Sequence, residues 1–74
     1  MFLVGVESLK NGGDGFNLQG TGGRALDLVG RDNAGNGISI TGNGKIVSGV
    51  VANNGRPNLH DSGSDNDTSG LIEK

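Results

Sequence analysis

A chain of 74 residues with a formal net charge of −2, 31% apolar and 3% aromatic residues holds a single domain or part of a larger one, and its core is thin. At this size only about 60% of the unfolded surface leaves water on folding, and with no cysteine there is no disulfide or thiolate metal site to reinforce it. The six Lys and Arg are scattered from Lys10 to Lys74, which argues against a phosphate-tracking nucleic-acid surface, and 16 glycines beside a single proline exclude collagen.

The first element, Phe2 to Val6, is predicted as a strand. The run is apolar but has no basic residues before it, and it is too short for a signal core or a membrane span. Next come Asn11 and the stretch DGFNLQGTG, Asp14 to Gly22, which overlays NGISITGNG, Asn36 to Gly44, at an offset of 22 residues. The overlay places Gly15 on Gly37, Phe16 on Ile38, Leu18 on Ile40 and Gly20 on Gly42. The same offset sets Val4 on Leu26, Val6 on Leu28, Asn11 on Asn33 and Gly13 on Gly35, so one repeat accounts for all of them. A looser third copy runs from Ile46 to Gly63: an offset of 21 puts Asn54 on Asn33 and Leu59 on Ile38, whereas 22 puts Val50 on Leu28. A deletion or bulge near Gly49 is expected to reconcile the two.

Inside each copy the apolar residues alternate over a few positions: Val4 and Val6, Phe16 and Leu18, Leu26 and Leu28, Ile38 and Ile40. Period two is the signature of a strand with one face inward, and glycines that interrupt every such stretch disfavour helix. Short strands closed by glycine and asparagine corners, repeated every 22 residues, describe one turn of a solenoid whose turns stack into a common core. Asn11, Asn33 and Asn54 recur at one corner, where asparagine tolerates left-handed backbone and bonds to its stacked neighbour. The expected architecture is all-β, a right-handed parallel β-helix of about three coils over residues 1–59, followed by a polar, acidic tail or cap over 60–74.

The stretches NGGDGFNL, NAGNGISI and VVANNGRPNL resemble the right-handed parallel β-helix repeat of pectate lyases, mannuronan C5-epimerases and bacteriophage tailspike depolymerases. The resemblance spans roughly Leu3 to Leu59 and rests on buried and turning residues, so it speaks to fold more than to activity. It implies an acidic or complex polysaccharide lying along the outward face of stacked strands, and a longer run of coils than this chain supplies. A rival pattern, the calcium-binding nonapeptide of β-rolls, is approached by GGDGFNLQG and GGRALDLVG, but the two units start ten residues apart and the next lacks the acid.

With Phe16, Leu18, Ile38 and Ile40 inward, Asn17, Gln19, Ser39 and Thr41 stack outward as a flat, polar, uncharged strip suited to sugar hydroxyls. These four are the candidate carbohydrate-binding residues. The strip lacks the acid and base that lyases, epimerases and hydrolases need, so catalysis, if the parent protein has it, is expected to draw on residues outside this chain. A second outward strip offers Gly5, Asp27 and Gly49, with Glu7 near Val29, and Lys10 overlies Asp32 as an exposed pair.

The segment RPNLHDSGSDNDTSG holds the one histidine, His60, beside Asp61, and neighbours on an extended chain point opposite ways. It is expected as a solvated tail in which Asp61, Asp65 and Asp67 could hold calcium weakly; no other cofactor is implied. Asn66, Asp67 and Thr68 form a glycosylation sequon. The open ends of a short solenoid imply self-association or a longer parent chain. The functional expectation is a carbohydrate-facing module of a polysaccharide-processing protein, extracellular or virion-associated, and the alternative is a purely structural segment of a phage spike or fibre.

Overall fold

A computed structural model describes residues 1–74 and shows a parallel β-solenoid of about three turns with no helix. Eight strands follow in chain order: β1 (Phe2–Val4), β2 (Glu7–Leu9), β3 (Phe16–Leu18), β4 (Arg24–Arg31), β5 (Ile38–Ile40), β6 (Ile46–Ala52), β7 (Leu59–Asp61) and β8 (Asp67–Glu73). They form two parallel sheets. In the first, β1 and β2 pair side by side with β4, which is followed by β6 and β8; the second runs β3, β5, β7. A single bridge between Thr21 and Asn43 continues the stacking round the corner between the sheets.

The register follows the overlay. Val4 pairs with Leu26, Phe16 with Ile38 and Leu18 with Ile40 at an offset of 22, and Ile38 pairs with Leu59 at an offset of 21. Coil upon coil, like residues therefore meet like, and the core consists of Phe16, Leu18, Ala25, Leu28, Ile38, Ile40, Val47 and Val51, with Leu3, Val6, Leu59 and Leu71 packed against it from the end layers.

Two inward assignments are corrected. Val4 is exposed and Leu26 only half-buried, while the neighbouring Ala25 and Leu28 are fully enclosed. The reason is a β-bulge: Ala25 pairs with Val47 but Leu28 pairs with Gly49, so Leu26 and Asp27 together oppose Ser48. Asp27 has a φ of 55° and its N–H donates to the Ser48 hydroxyl at 3.2 Å, which resets the alternation between Ala25 and Leu28. The irregularity that reconciles the two offsets thus lies just before Gly49, and Val50 sits on Val29, not on Leu28. Gly49 is required there because its φ is 140° and a Cβ would run into the backbone of Leu28.

Residues 60–74 are also built into the coil instead of forming a solvated tail. His60 and Asp61 lie in β7, and β8 pairs with β6 from Asp67 to Glu73, again through a register shift. The polar composition of this stretch reflects its place as the last layer, where an inward position such as Leu71 is only partly covered.

Two corners join the sheets, and each has a column of left-handed residues; the residues that follow them, Gly23 apart, bond to the neighbouring coil through their side chains. At the first, Lys10, Asp32 and Asn53 have φ of 56°, 58° and 55°, and the next residues are Asn11, Asn33 and Asn54. Asn33 Oδ1 accepts from the Asn11 N–H at 3.0 Å and from Asn11 Nδ2 at 2.9 Å, and Asn54 Oδ1 receives Asn33 in the same way at 3.0 and 3.1 Å. This is the expected asparagine ladder.

At the second corner Gly22, Gly44 and Asp65 have φ of 73°, 69° and 57°, and Gly23, Lys45 and Asn66 follow them. Lys45 is 1% exposed, and its ammonium donates to the carbonyls of Gly20 at 2.7 Å and Gly22 at 2.9 Å. One coil on, Asn66 Nδ2 donates to the equivalent Gly42 carbonyl at 2.8 Å, and Asn66 Oδ1 accepts the Lys45 N–H at 2.9 Å. Lys45 therefore takes at this corner the part that asparagine takes at the other, adding a second donor to the Gly20 carbonyl, which also accepts the Asn43 N–H at 3.1 Å, and supplying one to the Gly22 carbonyl. Composition alone left it among the scattered cations.

Candidate functional site

The outward side of the second sheet is a small ladder. Asn17 pairs with Ser39 and Ser39 with His60, and beside this column run Gln19, Thr41 and Ser62, whose backbones are linked through Thr41 N–H to Leu18 O and Ser62 N–H to Ile40 O, both 2.9 Å. Asn17, Gln19 and Thr41 are exposed as expected. Ser39 is only 7% exposed, because its short side chain sits between the longer Asn17 and His60 on the flanking strands. It is a floor between two standing side chains, not a free contact.

His60 is the residue that the sequence reading left off this strip. It joins because the third coil has the 21-residue offset, so the position after Leu59 falls on Ser39. The strip consequently carries one imidazole, whose two ring nitrogens add hydrogen-bonding groups to the amides and hydroxyls. Its sequence neighbour Asp61 faces the other side of β7, where Oδ1 accepts from the Gly63 N–H at 3.0 Å and from Asn66 Nδ2 at 2.9 Å. No His60–Asp61 dyad forms.

The remaining candidates are engaged in structure. Asp32 accepts from Asn53 Nδ2 at 2.8 Å, so the corner pairs an acid with an amide and not with Lys10. Asp67 Oδ1 accepts from the Ser69 hydroxyl at 2.7 Å and the Ser69 N–H at 3.0 Å, and these bonds, the hydroxyl first, hold its carboxyl below the ordinary aspartate range. No three His, Cys, Asp or Glu side chains come together in a group that could hold a metal ion. Asn66 of the sequon is half-buried, with its amide spent on Gly42 and Asp61.

No cavity opens on the molecule, and the strip is a flat ladder of amide, hydroxyl and imidazole groups spaced about 4.8 Å apart along the solenoid axis. No helix is long and apolar enough to cross a membrane. The fold and strip define the class, a parallel β-solenoid with a polar outer ladder. No family model, curated protein or solved structure matches the chain.

Proposed function

We propose that the chain is a carbohydrate-facing β-helix module of a polysaccharide-processing protein, of the pectin-lyase-like kind found in tailspikes, lyases and epimerases, and that it works outside the cell or on a virion. The observation that carries this reading is the register of the second sheet, which stacks Asn17 and His60 about Ser39 and places Gln19 beside Thr41 on an open outer face. Uncharged donors and acceptors repeated at one spacing suit a ligand that repeats hydroxyls, and the flat surface suits an extended polymer better than a small molecule.

The strip supplies no general acid and base pair, so the module binds and positions, and any bond cleavage or proton abstraction draws on groups outside it. No cofactor is needed for this role; calcium is expected only as a weak surface counter-ion near Asp61, Asp65 and Asp67. Binding to immobilised acidic and neutral polysaccharides tests the reading. Thr41→Asp and Asn17→Asp, both at exposed positions, should leave the fold intact and weaken capture of a polyuronate about tenfold through like-charge repulsion. Unchanged capture by both variants contradicts it.

A purely structural role, as a segment of a spike or fibre, is the second reading. It is favoured by exposed apolar residues, Phe2 and Ile72 among them, on the first sheet. A chain that captures no polysaccharide but assembles on itself or on further coils would support it.

A further inference from the structure

The first sheet carries the opposite chemistry on its outer side. One outward column runs Phe2, Arg24, Ile46, Asp67, and another runs Glu7, Val29, Val50, Ile72. Ile46 is 40% exposed and Ile72 53%, while the residues that alternate with them, Val47 and Val51, are sealed inside. Apolar side chains aligned along the outer face of a sheet mark a surface that meets another surface.

The charges indicate which surface. Ile46 is flanked in its own column by Arg24 on β4 and Asp67 on β8, one strand to either side. A rotation of 180° about an axis parallel to β6 keeps positions along the strands and exchanges β4 with β8. Ile46 then meets Ile46 of a second copy, Arg24 meets Asp67 of that copy in both directions, Val50 meets Val50 and Val29 meets Ile72. We propose that the outer face of β4, β6 and β8 is a docking surface for a second copy of this chain, centred on Ile46 and Val50 and flanked by two reciprocal Arg24–Asp67 pairs.

Competing orientations are worse. An axis between β4 and β6 sets Asp67 on Phe2 and Glu7 on Ile72, leaving carboxylates against apolar groups without partners. An axis along the solenoid midway between Ile46 and Val50 sets Arg24 on Val29 and Asp67 on Ile72 of the second copy, again charges against apolar groups. The favoured one also runs the strands of both sheets in the same direction, within the aligned class of sheet packing. Three strands about 4.8 Å apart make a contact at the small end of specific interfaces, so the association is weak and exchanging.

Sedimentation equilibrium on the full chain over a concentration series tests this surface, with circular dichroism as a check on folding. The wild-type mass should rise toward twice the monomer, and Ile46→Lys should hold the chain monomeric. Arg24→Glu and Asp67→Arg should each fail to self-associate, whereas an equimolar mixture of the two should dimerise, because both cross-pairs are then opposite in charge. If Asp67→Arg loses its strand signal, Asp67→Asn keeps the oxygen that accepts from Ser69 and should weaken the dimer about tenfold. A wild-type chain that stays monomeric to about 1 mM, folded single variants that dimerise like the wild type, or a mixture of folded variants that does not associate would each overturn the proposal.

Discussion

The two sheets are wound from one repeat, yet their outer faces differ in kind. On the second, the outward positions hold Asn17, Ser39 and His60; on the first, they hold Ile46, Val50 and Ile72 among charges. Inward, the two are alike: Phe16, Leu18, Ile38 and Ile40 from one and Ala25, Leu28, Val47 and Val51 from the other close a single core. The repeat therefore specifies stacking through its inward and corner residues and leaves the outward positions free to diverge, so each face has to be read for itself.

Breaking what the faces share should have the largest effect. Ile38 is fully enclosed in the middle layer, between Phe16 and Leu59, and Ile38→Asp buries a charge without a partner there. Loss of the β-sheet signal is expected, since the penalty, about 4 kcal/mol or more, rivals the total stability of so small a domain. Thr41→Asp, one residue beyond the strand and outward, should leave the spectrum unchanged. Equal effects from both would mean that inside and outside have been exchanged.

The corners that hold the two faces at their angle come next. Asn33→Ala removes the central rung of the ladder and takes the Asn33 side-chain partner from the Asn11 N–H and from Asn54 Oδ1, and chemical denaturation should show a loss of about 3 kcal/mol. Lys45→Met removes the side-chain donor of the Gly22 carbonyl and leaves the Gly20 carbonyl with the Asn43 N–H alone, but it also removes a buried charge, so a smaller loss of about 1–2 kcal/mol is expected. Lys45→Asn, which copies the residue one coil on, should recover part of it. A Lys45→Met variant as stable as the wild type would show that those carbonyls find other partners.

The smallest effect is electrostatic and confined to the first sheet. Its bonds from Ser69 lower the pKa of Asp67, so this carboxylate favours the folded state above the ordinary aspartate range and loses that contribution as the pH falls through the lowered value. Ser69→Ala should move the Asp67 titration, followed by carboxyl NMR, up toward the ordinary range. No movement would show that the Ser69 bonds do not persist in solution.

The fold was legible because the 22-residue overlay matched core residues of the second sheet to each other, Phe16 on Ile38 and Leu18 on Ile40, and corner asparagine to corner asparagine, Asn11 on Asn33. The clash of the 21 and 22 offsets also announced a bulge near Gly49, but not its effect on β4, because Leu26, Asp27 and Leu28 imitate a straight strand and a left-handed aspartate leaves no mark in the alternation. Lys45 was hidden by chemistry: glycine, lysine and asparagine share nothing at this corner except their place after the left-handed residues Gly22, Gly44 and Asp65. His60 could have been found. The offset of 21 that set Leu59 on Ile38 also sets His60 on Ser39, but the polar composition after Leu59 suggested a tail.

Amide NMR of the full chain during titration with a polyuronate oligosaccharide tests the division of labour between the faces most directly. Shifts confined to Asn17, Gln19, Thr41 and His60, with Arg24, Ile46 and Ile72 responding to protein concentration instead, are the predicted result. No response to any polysaccharide, or shifts centred on Ile46 and Val50, would contradict the account.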